Sequence, residues 1–386
     1  MPLFGPPDVA SLKAKRDVQG LIRALGYNGG VNVRRAAAAA LGELGDVRAV
    51  EPLGLALKNP DWEGDWNDLS AAADALVRLG APSVGPLIGI LEWHSKVVRV
   101  VAAGALASVG RPAVRPLITL LADSDLETRE TASQIVADIG ADAIDELIEA
   151  LKDAHIGRRQ RAARILGEIG DPGGVASLVQ ALRDPIAGVR QAAARSLGEI
   201  ADPSAADSLV NALTDSDLDV RKNAALSLAA MKDPRAIPEL LHELRGPKPA
   251  AVLEALVKVG APVVEPMLAM LADSKARGDE AWIVDELRSD VSTVFAGIGC
   301  PPEVGTLVAQ LLGDAPAERS EAASELLRLY QSDSLDAQTK ALLRAARPMI
   351  EQARASGLAQ AASQGDSGSD PETGAPAPNL PASLAS

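Results

Sequence analysis

Residues 159–172 read Arg-Gln-Arg-Ala-Ala-Arg-Ile-Leu-Gly-Glu-Ile-Gly-Asp-Pro, and residues 34–46 read Arg-Arg-Ala-Ala-Ala-Ala-Ala-Leu-Gly-Glu-Leu-Gly-Asp. Both stretches pass in the same order from basic through small and apolar to turn-forming residues. Such internal similarity is typical of proteins built from stacked repeats. Each copy can be anchored at the residue that matches Gly45, and most neighbouring anchors are 30 or 31 residues apart. The anchors are Gly45, Gly80, Gly110, Gly140, Gly170, Ala201, Lys232, Gly260, Gly299 and Tyr330.

The residues before each anchor predict an amphipathic helix. The positions one and four residues before the anchor are apolar in every copy, and the position eight before it is Ala or Val. These three offsets lie on one face of an α-helix, which we call helix B. A second apolar run with helical spacing follows each anchor, for example Val114, Leu117, Ile118 and Leu121. It predicts helix A of the next pair.

The short segments between helix B and the next helix A predict tight corners. In Gly170-Asp171-Pro172, glycine accepts the left-handed conformation that ends a helix, aspartate caps the next helix, and proline suits its first turn. Because one helix pair cannot bury both of its apolar faces, the pairs must stack. The sequence therefore predicts an all-α fold, an α-α superhelix (solenoid) of about ten helix pairs over residues 17–333.

The two ends of the chain depart from the repeat. Residues 1–16 predict an N-terminal cap, and residues 334–356 predict a charged C-terminal capping helix. Residues 357–386 are rich in Ser, Gly, Ala and Pro without apolar periodicity, so we expect a disordered tail there.

The recurring Val-Arg…Ala-Ala…Leu-Gly-Glu-Ile-Gly-Asp-Pro phrase resembles the HEAT-repeat family, in particular the HEAT-like repeat named for phycobilisome (PBS) lyases. The resemblance covers roughly residues 17–330. It implies a HEAT/armadillo-type solenoid with the B helices on the concave side. It implies little about chemistry, because this fold serves many functions.

Composition narrows the classes of function. Cys300 is the single cysteine, which excludes an internal disulfide and suits a reducing cytoplasm. The chain has no run of 18 apolar residues, so we expect no membrane insertion. A net charge of −14 disfavours nucleic acid and favours a protein partner with a basic or amphipathic segment.

A column of arginines stands eleven residues before the anchor. These side chains could line the superhelix and bind phosphates or carboxylates of a ligand. They could instead form an internal ladder with acids near the start of helix B, such as Asp125, Glu127, Asp217 and Asp219. The acidic overall charge favours the internal ladder. The column holds Arg34, Arg99, Arg129, Arg159, Arg190, Arg221, Arg288 and Arg319.

The turn from helix A to helix B varies in length and collects the aromatic residues. In the middle repeats aspartates occupy it and are expected to cap helix B. Because insertions on one face often mark a binding face and Trp is common at interface hot spots, we predict a partner-binding edge centred on Trp62, Trp66 and Trp93. The alternative is that the aromatic residues fill the longer repeats. The aromatic residues at this edge are Tyr27, Trp62, Trp66, Trp93 and Trp282, and the aspartates are Asp123, Asp153, Asp184 and Asp215.

The residues give little support for catalysis. His94, His155 and His242 fall in repeats that are not adjacent, so we expect no metal site, no cofactor and no catalytic residue. We predict a non-enzymatic scaffold or adaptor. The resemblance leaves two alternatives open. One is a bilin-lyase-type subunit acting on a tetrapyrrole–protein complex. The other is an oxidoreductase related to deoxyhypusine hydroxylase, which is disfavoured because only His242-Glu243 matches that family's repeated His-Glu pairs.

Overall fold

The computed structural model describes residues 6–27, 30–63, 66–244, 250–279, 281–313, 315–331, 335 and 337–365. This part of the chain is all-α. The α-helices are, in order, α1 (Val9–Ala14), α2 (Val18–Leu25), α3 (Val31–Leu44), α4 (Val50–Leu57), α5 (Pro60–Glu63), α6 (Trp66–Leu79), α7 (Val84–Ile88), α8 (Lys96–Val109), α9 (Arg111–Leu120), α10 (Leu126–Ile139), α11 (Ile144–Ala150), α12 (Ile156–Ile169), α13 (Val175–Ala181), α14 (Ala187–Ile200), α15 (Ala206–Ala212), α16 (Leu218–Ala230), α17 (Ile237–Glu243), α18 (Ala250–Val259), α19 (Val264–Arg277), α20 (Ala281–Gly297), α21 (Pro302–Leu311), α22 (Pro316–Gln331) and α23 (Ala337–Gly365).

The predicted helix pairs are confirmed. The B helices are α3, α6, α8, α10, α12, α14, α16, α18, α20 and α22. Those from α3 to α16, together with α20 and α22, each contact the A helix of their own pair. The residues four and eight positions before the anchors lie in the core. Leu166 and Ala162 of α12, for example, are buried, as are Leu197 and Ala193 of α14. The apolar stripe therefore drives the stacking, as the sequence predicts.

The corners follow from local sequence. Gly170 has φ 72°, in the left-handed region that favours glycine, and it ends α12. The Asp171 carboxylate then accepts a hydrogen bond from the backbone N–H of Gly173 at 2.7 Å. A 3₁₀ turn, Pro172–Gly174, leads into the next A helix. Ala201 and Lys232 take the same left-handed conformation without being glycine.

Neighbouring B helices approach closely at one glycine position. A Cβ placed on Gly198 of α14 would lie 2.8 Å from the Cα of Ser227 of α16, and one on Gly42 of α3 would lie 2.8 Å from the Cα of Ala75 of α6. Ser227 Oγ also donates a hydrogen bond to the Ala194 carbonyl at 2.8 Å. Small residues at this position therefore allow backbone-to-backbone contact between repeats.

The chain divides into two compact units, Met1–Glu243 and Leu244–Ser386. The first contains α1 to α17 and the second contains α18 to α23. The division falls at the shortest repeat, inside the array that the sequence treats as continuous.

Within the second unit, α23 packs against α22 and α19, and it buries Leu342, Leu343, Ala346 and Ile350. This helix extends to Gly365, whereas the sequence places the end of the capping helix at residue 356 and the start of a disordered tail at 357. Ala, Leu and Gln in 357–365 are good helix formers, which accounts for the longer helix. The rest of the expected tail, 366–386, lies outside the described residues.

Candidate partner-binding surface

Two arginines of the column show how neighbouring repeats are tied together. Arg159 donates from Nε and Nη2 to the carboxylate of Asp184 at 2.8 and 3.2 Å, and Arg190 binds Asp215 in the same way at 2.8 and 2.8 Å. Each guanidinium also donates from Nη1 to a backbone carbonyl of its own turn, at Asp153 for Arg159 and at Asp184 for Arg190. One side chain therefore holds two successive A-to-B turns.

The acceptors in these middle repeats differ from those expected. The turn aspartates bind the arginines, and each also accepts the backbone N–H two residues further on, as Asp215 does from Asp217 at 2.9 Å. The hydrogen bond from Arg190 is the largest of several effects that hold the pKa of Asp215 below its usual value. The aspartates thus combine a turn-forming role with that of ladder acceptor.

Three other members of the column in the first unit vary this pattern. Arg99 donates to Glu127 at 2.8 Å, and Arg221 donates to Glu239 at 3.1 Å. Arg129 donates to the backbone carbonyls of its own turn, the nearer at 2.6 Å. Each of these three guanidiniums is engaged inside the chain, which supports the internal ladder over a row of ligand-binding cations.

The second unit contains the last two arginines of the column. Arg288 Nη1 donates to Asp285 at 2.6 Å, and its Nε donates to the Leu312 carbonyl at 3.1 Å. Arg319 lies in the corresponding place on α22 and is half-buried. The column thus continues in this unit, and Arg288 is bound there by a carboxylate three residues before it and by a carbonyl at the end of α21.

Trp62 lies in the core, and the prediction that it belongs to a binding surface is wrong. Its side chain is 0% exposed. The extra residues of this long repeat fold into α5, which places the indole of Trp62 in the core. The Arg34 Cζ lies 5.5 Å from the centroid of this ring. The same guanidinium donates to the buried carboxylate of Asp68 at 2.5 Å, and Arg35 donates to that carboxylate at 2.6 Å. Trp62 therefore covers a buried ion cluster.

The other aromatic residues differ in their exposure. Trp66, the first residue of α6, is exposed. Trp93 is half-buried, with the Lys58 ammonium 5.2 Å and the His94 ring 4.7 Å from its ring. Tyr27 lies two residues after the end of α2 and is half-buried. Trp282 belongs to α20 in the second unit, and its side chain lies outside what the structure describes.

Exposed apolar side chains mark the starts of successive B helices, and the sequence analysis identified only Trp66 among them. We call this set the B-start stripe. All its members lie in the first unit, and each is between 36% and 60% exposed in spite of its apolar character. The stripe consists of Trp66 (α6), Val97 and Val100 (α8), Leu126 (α10), Ile156 (α12), Ile186 (just before α14) and Leu218 (α16).

Helix geometry explains why these residues face outward. Leu126 and Leu218 are the first residues of their helices, fixed by the capping aspartates Asp125 and Asp217. The residues that pack into the core come two positions later, as with Val220 after Leu218. Two positions correspond to about 200° around an α-helix, so one residue points inward and the other outward. The signal in the sequence was an apolar residue between the turn aspartate and the ladder arginine.

Carboxylates flank the stripe at two of its residues. Asp125 and Glu127 stand on either side of Leu126, and Asp217 and Asp219 stand on either side of Leu218. The backbone hydrogen bond from Thr128 is the main cause that lowers the pKa of Asp125, so this group is ionised at neutral pH. The segments 123–127 and 215–219 contain no Lys or Arg. Each of these two turns therefore presents a leucine in an anionic setting.

The turns between them are less acidic. Ile156 and Ile186 each follow a turn that holds one aspartate, Asp153 or Asp184, and both aspartates are bonded to arginines. The exposed cations Lys152 and Arg183 come directly before these aspartates. The stripe from α10 to α16 is therefore acidic at its two ends and close to neutral in its middle.

A groove of about 300 Å³ lies on α12, α14 and α16. Three arginines line it together with amide side chains. Arg164 is paired with Glu130 at 3.0 Å, and Arg195 is paired with Glu199 at 2.9 Å. Arg161 donates to the Leu121 carbonyl at 3.1 Å. Each of these cations already has an acceptor within the chain, so the groove offers a ligand less than the stripe does.

The histidines do not converge. His94 and His155 are exposed in the turns that precede α8 and α12, and His242 is exposed on α17. Among the residues that the structure describes, no group of three or more His, Cys, Asp or Glu side chains could hold a metal ion. Within the same residues, none of the helices has the length and apolar character needed to cross a membrane.

Several solved structures resemble this fold at low sequence identity. An engineered protein shares 20% identity over 87% of this chain and 99% of its own, with a TM-score of 0.35. Importin beta shares 15% over 90% of this chain and 54% of its own, with a TM-score of 0.42. Human deoxyhypusine hydroxylase shares 22% over 65% of this chain and 96% of its own, with a TM-score of 0.27. No curated protein matches the chain at a significant level.

Family models match the repeats directly. Residues 114–194, 144–219 and 175–257 match HEAT repeats, and residues 33–59 match the PBS lyase HEAT-like repeat. These segments cover α3 and the A and B helices around α9 to α18, where five of the eight column arginines and four of the seven stripe residues lie. Residues 33–59 and 114–257 of this chain are therefore HEAT-type repeats.

Proposed function

We propose that this protein is a non-enzymatic scaffold or adaptor that binds a protein partner along the B-start stripe. The observation that carries the proposal is the recurrence of an exposed apolar side chain at the start of every B helix from α6 to α16. Single exposed apolar residues are ordinary on protein surfaces. A line of them at one structural position is the kind of surface that marks an interaction site.

The stripe offers enough apolar area to support binding. Complete burial of a Val, Leu or Ile side chain contributes about 1.5–3 kcal/mol, and the stripe residues are already partly covered, so each would contribute about half of that. Packed helices lie about 8–10 Å apart, so the side chains form a line with one contact per repeat. A partner that follows this line gains many small contributions, which fits a scaffold better than a pocket for a small molecule.

Site-specific photo-cross-linking in the native host tests the proposal. A photoreactive phenylalanine analogue is placed at Leu126 in one variant and at Ile186 in another. We expect both positions to cross-link the same protein, which mass spectrometry then identifies. Because the two positions lie two repeats apart, a shared product indicates a partner that follows the stripe.

Val47 provides a matched control. It is 61% exposed, but it lies in the corner after α3, at the opposite end of a B helix from the stripe. A B helix of 14 residues is about 21 Å long, beyond the reach of the probe. The proposal fails if Leu126 and Ile186 cross-link no more than Val47 does, or if they capture unrelated products.

A further inference from the structure

We infer that the partner presents an extended segment with an apolar residue at every third position and with Lys or Arg at both ends. This inference rests on the proposed function and names the chemistry of its partner. The ligand is a peptide segment in polyproline II conformation, and it lies along the part of the stripe formed by Leu126, Ile156, Ile186 and Leu218.

The spacing of the stripe selects the conformation. Neighbouring B helices at about 8–10 Å place one apolar contact every 8–10 Å along the stripe. A polyproline II helix rises about 3.1 Å per residue with three residues per turn, so every third side chain lies on one face about 9.3 Å apart. The two periods agree, and the match extends over consecutive repeats without a change of register.

Other regular conformations match less well. In a β-strand the side chains on one face are about 6.6–6.8 Å apart, so they lose register with the stripe after one repeat. In an α-helix, residues three or four apart are separated by about 5–6 Å, and only every seventh residue, at about 10.5 Å, approaches the required period. An α-helical partner would therefore use one contact in two turns and leave most of its apolar face uncovered.

The charges beside the stripe select the ends of the segment. The exposed carboxylate of Asp125 stands beside Leu126, and the exposed carboxylate of Asp219 stands beside Leu218, whereas the Glu127 carboxylate is already paired with Arg99. Of these four turns, only the two before Ile156 and Ile186 directly follow an exposed cation, Lys152 or Arg183. Three steps separate Leu126 from Leu218, and at about three residues per step they require about nine residues between the first and last apolar contacts. Cations at both ends of such a segment would meet carboxylates.

A panel of labelled synthetic peptides tests the inference against the full-length chain by fluorescence anisotropy. The lead peptide has four leucines at every third position, proline and serine between them, and two lysines at each end. One comparison peptide has the same composition with leucines at every second position. Another keeps the leucine spacing and has glutamates in place of the lysines. We expect each comparison peptide to bind at least about tenfold more weakly than the lead peptide.

A charge-reversal variant links the end preference to named carboxylates. Asp219→Lys reverses a charge beside Leu218. It should lower the affinity for the lysine-ended peptide by about threefold or more and raise the affinity for the glutamate-ended peptide. Asp142→Lys makes the same change of charge at an exposed position in the corner after α10, and it should leave both affinities unchanged.

The outcomes separate the inference from the function on which it rests. Tighter binding of the peptide with leucines at every second position, or equal binding of lysine-ended and glutamate-ended peptides, overturns the inference. So does the absence of peptide binding when Leu126 and Ile186 still cross-link a partner, and in that case the proposed function survives. Cross-linking between two copies of this chain through the stripe also overturns the inference, because the occupant would then be a second copy.

Discussion

The long repeat at α5–α6 and the regular repeats at α12–α16 pair an arginine of helix B with a carboxylate of the next repeat in different ways. In the regular repeats, Arg159 and Arg190 sit at the edge of the stack, each bound to a turn aspartate that retains contact with solvent. In the long repeat, Asp68 is buried together with Arg34 of the preceding repeat, and Trp62 packs against this guanidinium. The insertion therefore moves an ion pair from the edge of the solenoid into its core, where its loss costs more.

The largest effect is expected where the ion cluster is buried. Asp68→Asn leaves the guanidiniums of Arg34 and Arg35 without their shared carboxylate, so it should lower the free energy of unfolding by about 3–5 kcal/mol. Urea unfolding of the full chain measures this. Asp74→Asn, on an exposed position of the same helix, should change it by less than about 0.5 kcal/mol. A cost for Asp68→Asn no larger than that of the control would remove the contrast between the two regions.

Close packing of B helices is expected to cost the same in both regions. Gly42→Ala and Gly198→Ala each push a methyl group against the backbone of the next B helix, so each should destabilise by about 1–3 kcal/mol. Gly104 lies inside α8 with no atom within 4 Å of an added Cβ, so Gly104→Ala should stabilise by about 0.5–1 kcal/mol. Thermal unfolding of the three variants shows whether each midpoint temperature falls or rises. If all three midpoints change in the same direction, helix propensity rather than the close approach of the helices determines the stability change.

The regular repeats should lose stability in acid through the ladder. The hydrogen bond from Arg190 lowers the pKa of Asp215 in the folded protein, so the ionised carboxylate stabilises the fold at pH values above its unfolded pKa of about 3.9. That stabilisation is lost as the pH falls through the lower, folded pKa. Asp215→Asn should cost about 1–2 kcal/mol at pH 7 and show a smaller further loss below pH 4 than the unmodified protein. If the free energy of unfolding falls equally with pH below pH 4 in both proteins, this role of Asp215 is contradicted.

Much of the fold could be read from the sequence, because the offsets of one, four and eight residues before each anchor fix the buried face of helix B. The corner residues could be read for the same reason, since Gly170 and Asp171 act locally. The direction of Trp62 could not. Whether an inserted turn folds over the core or away from it depends on Arg34, which lies in the previous repeat.

The candidate surface was predictable only in part. Trp66 was identified from its rarity, and the structure places it at the head of the B-start stripe. The outward direction of Leu126 and Leu218 was not predicted. The structure shows each of them as the first residue of a helix that Asp125 or Asp217 caps.

The central claim is that successive repeats share one partner through the B-start stripe. The most direct test places the photoreactive residue at Leu126 and introduces Ile156→Ser and Ile186→Ser together, at the next two positions of the stripe. The yield of cross-linked partner is then measured. Removing these two contacts should reduce the yield at least about tenfold at limiting partner, because each side chain contributes about 1 kcal/mol. Val47→Ser should leave the yield unchanged. An undiminished yield from the double variant would contradict the account.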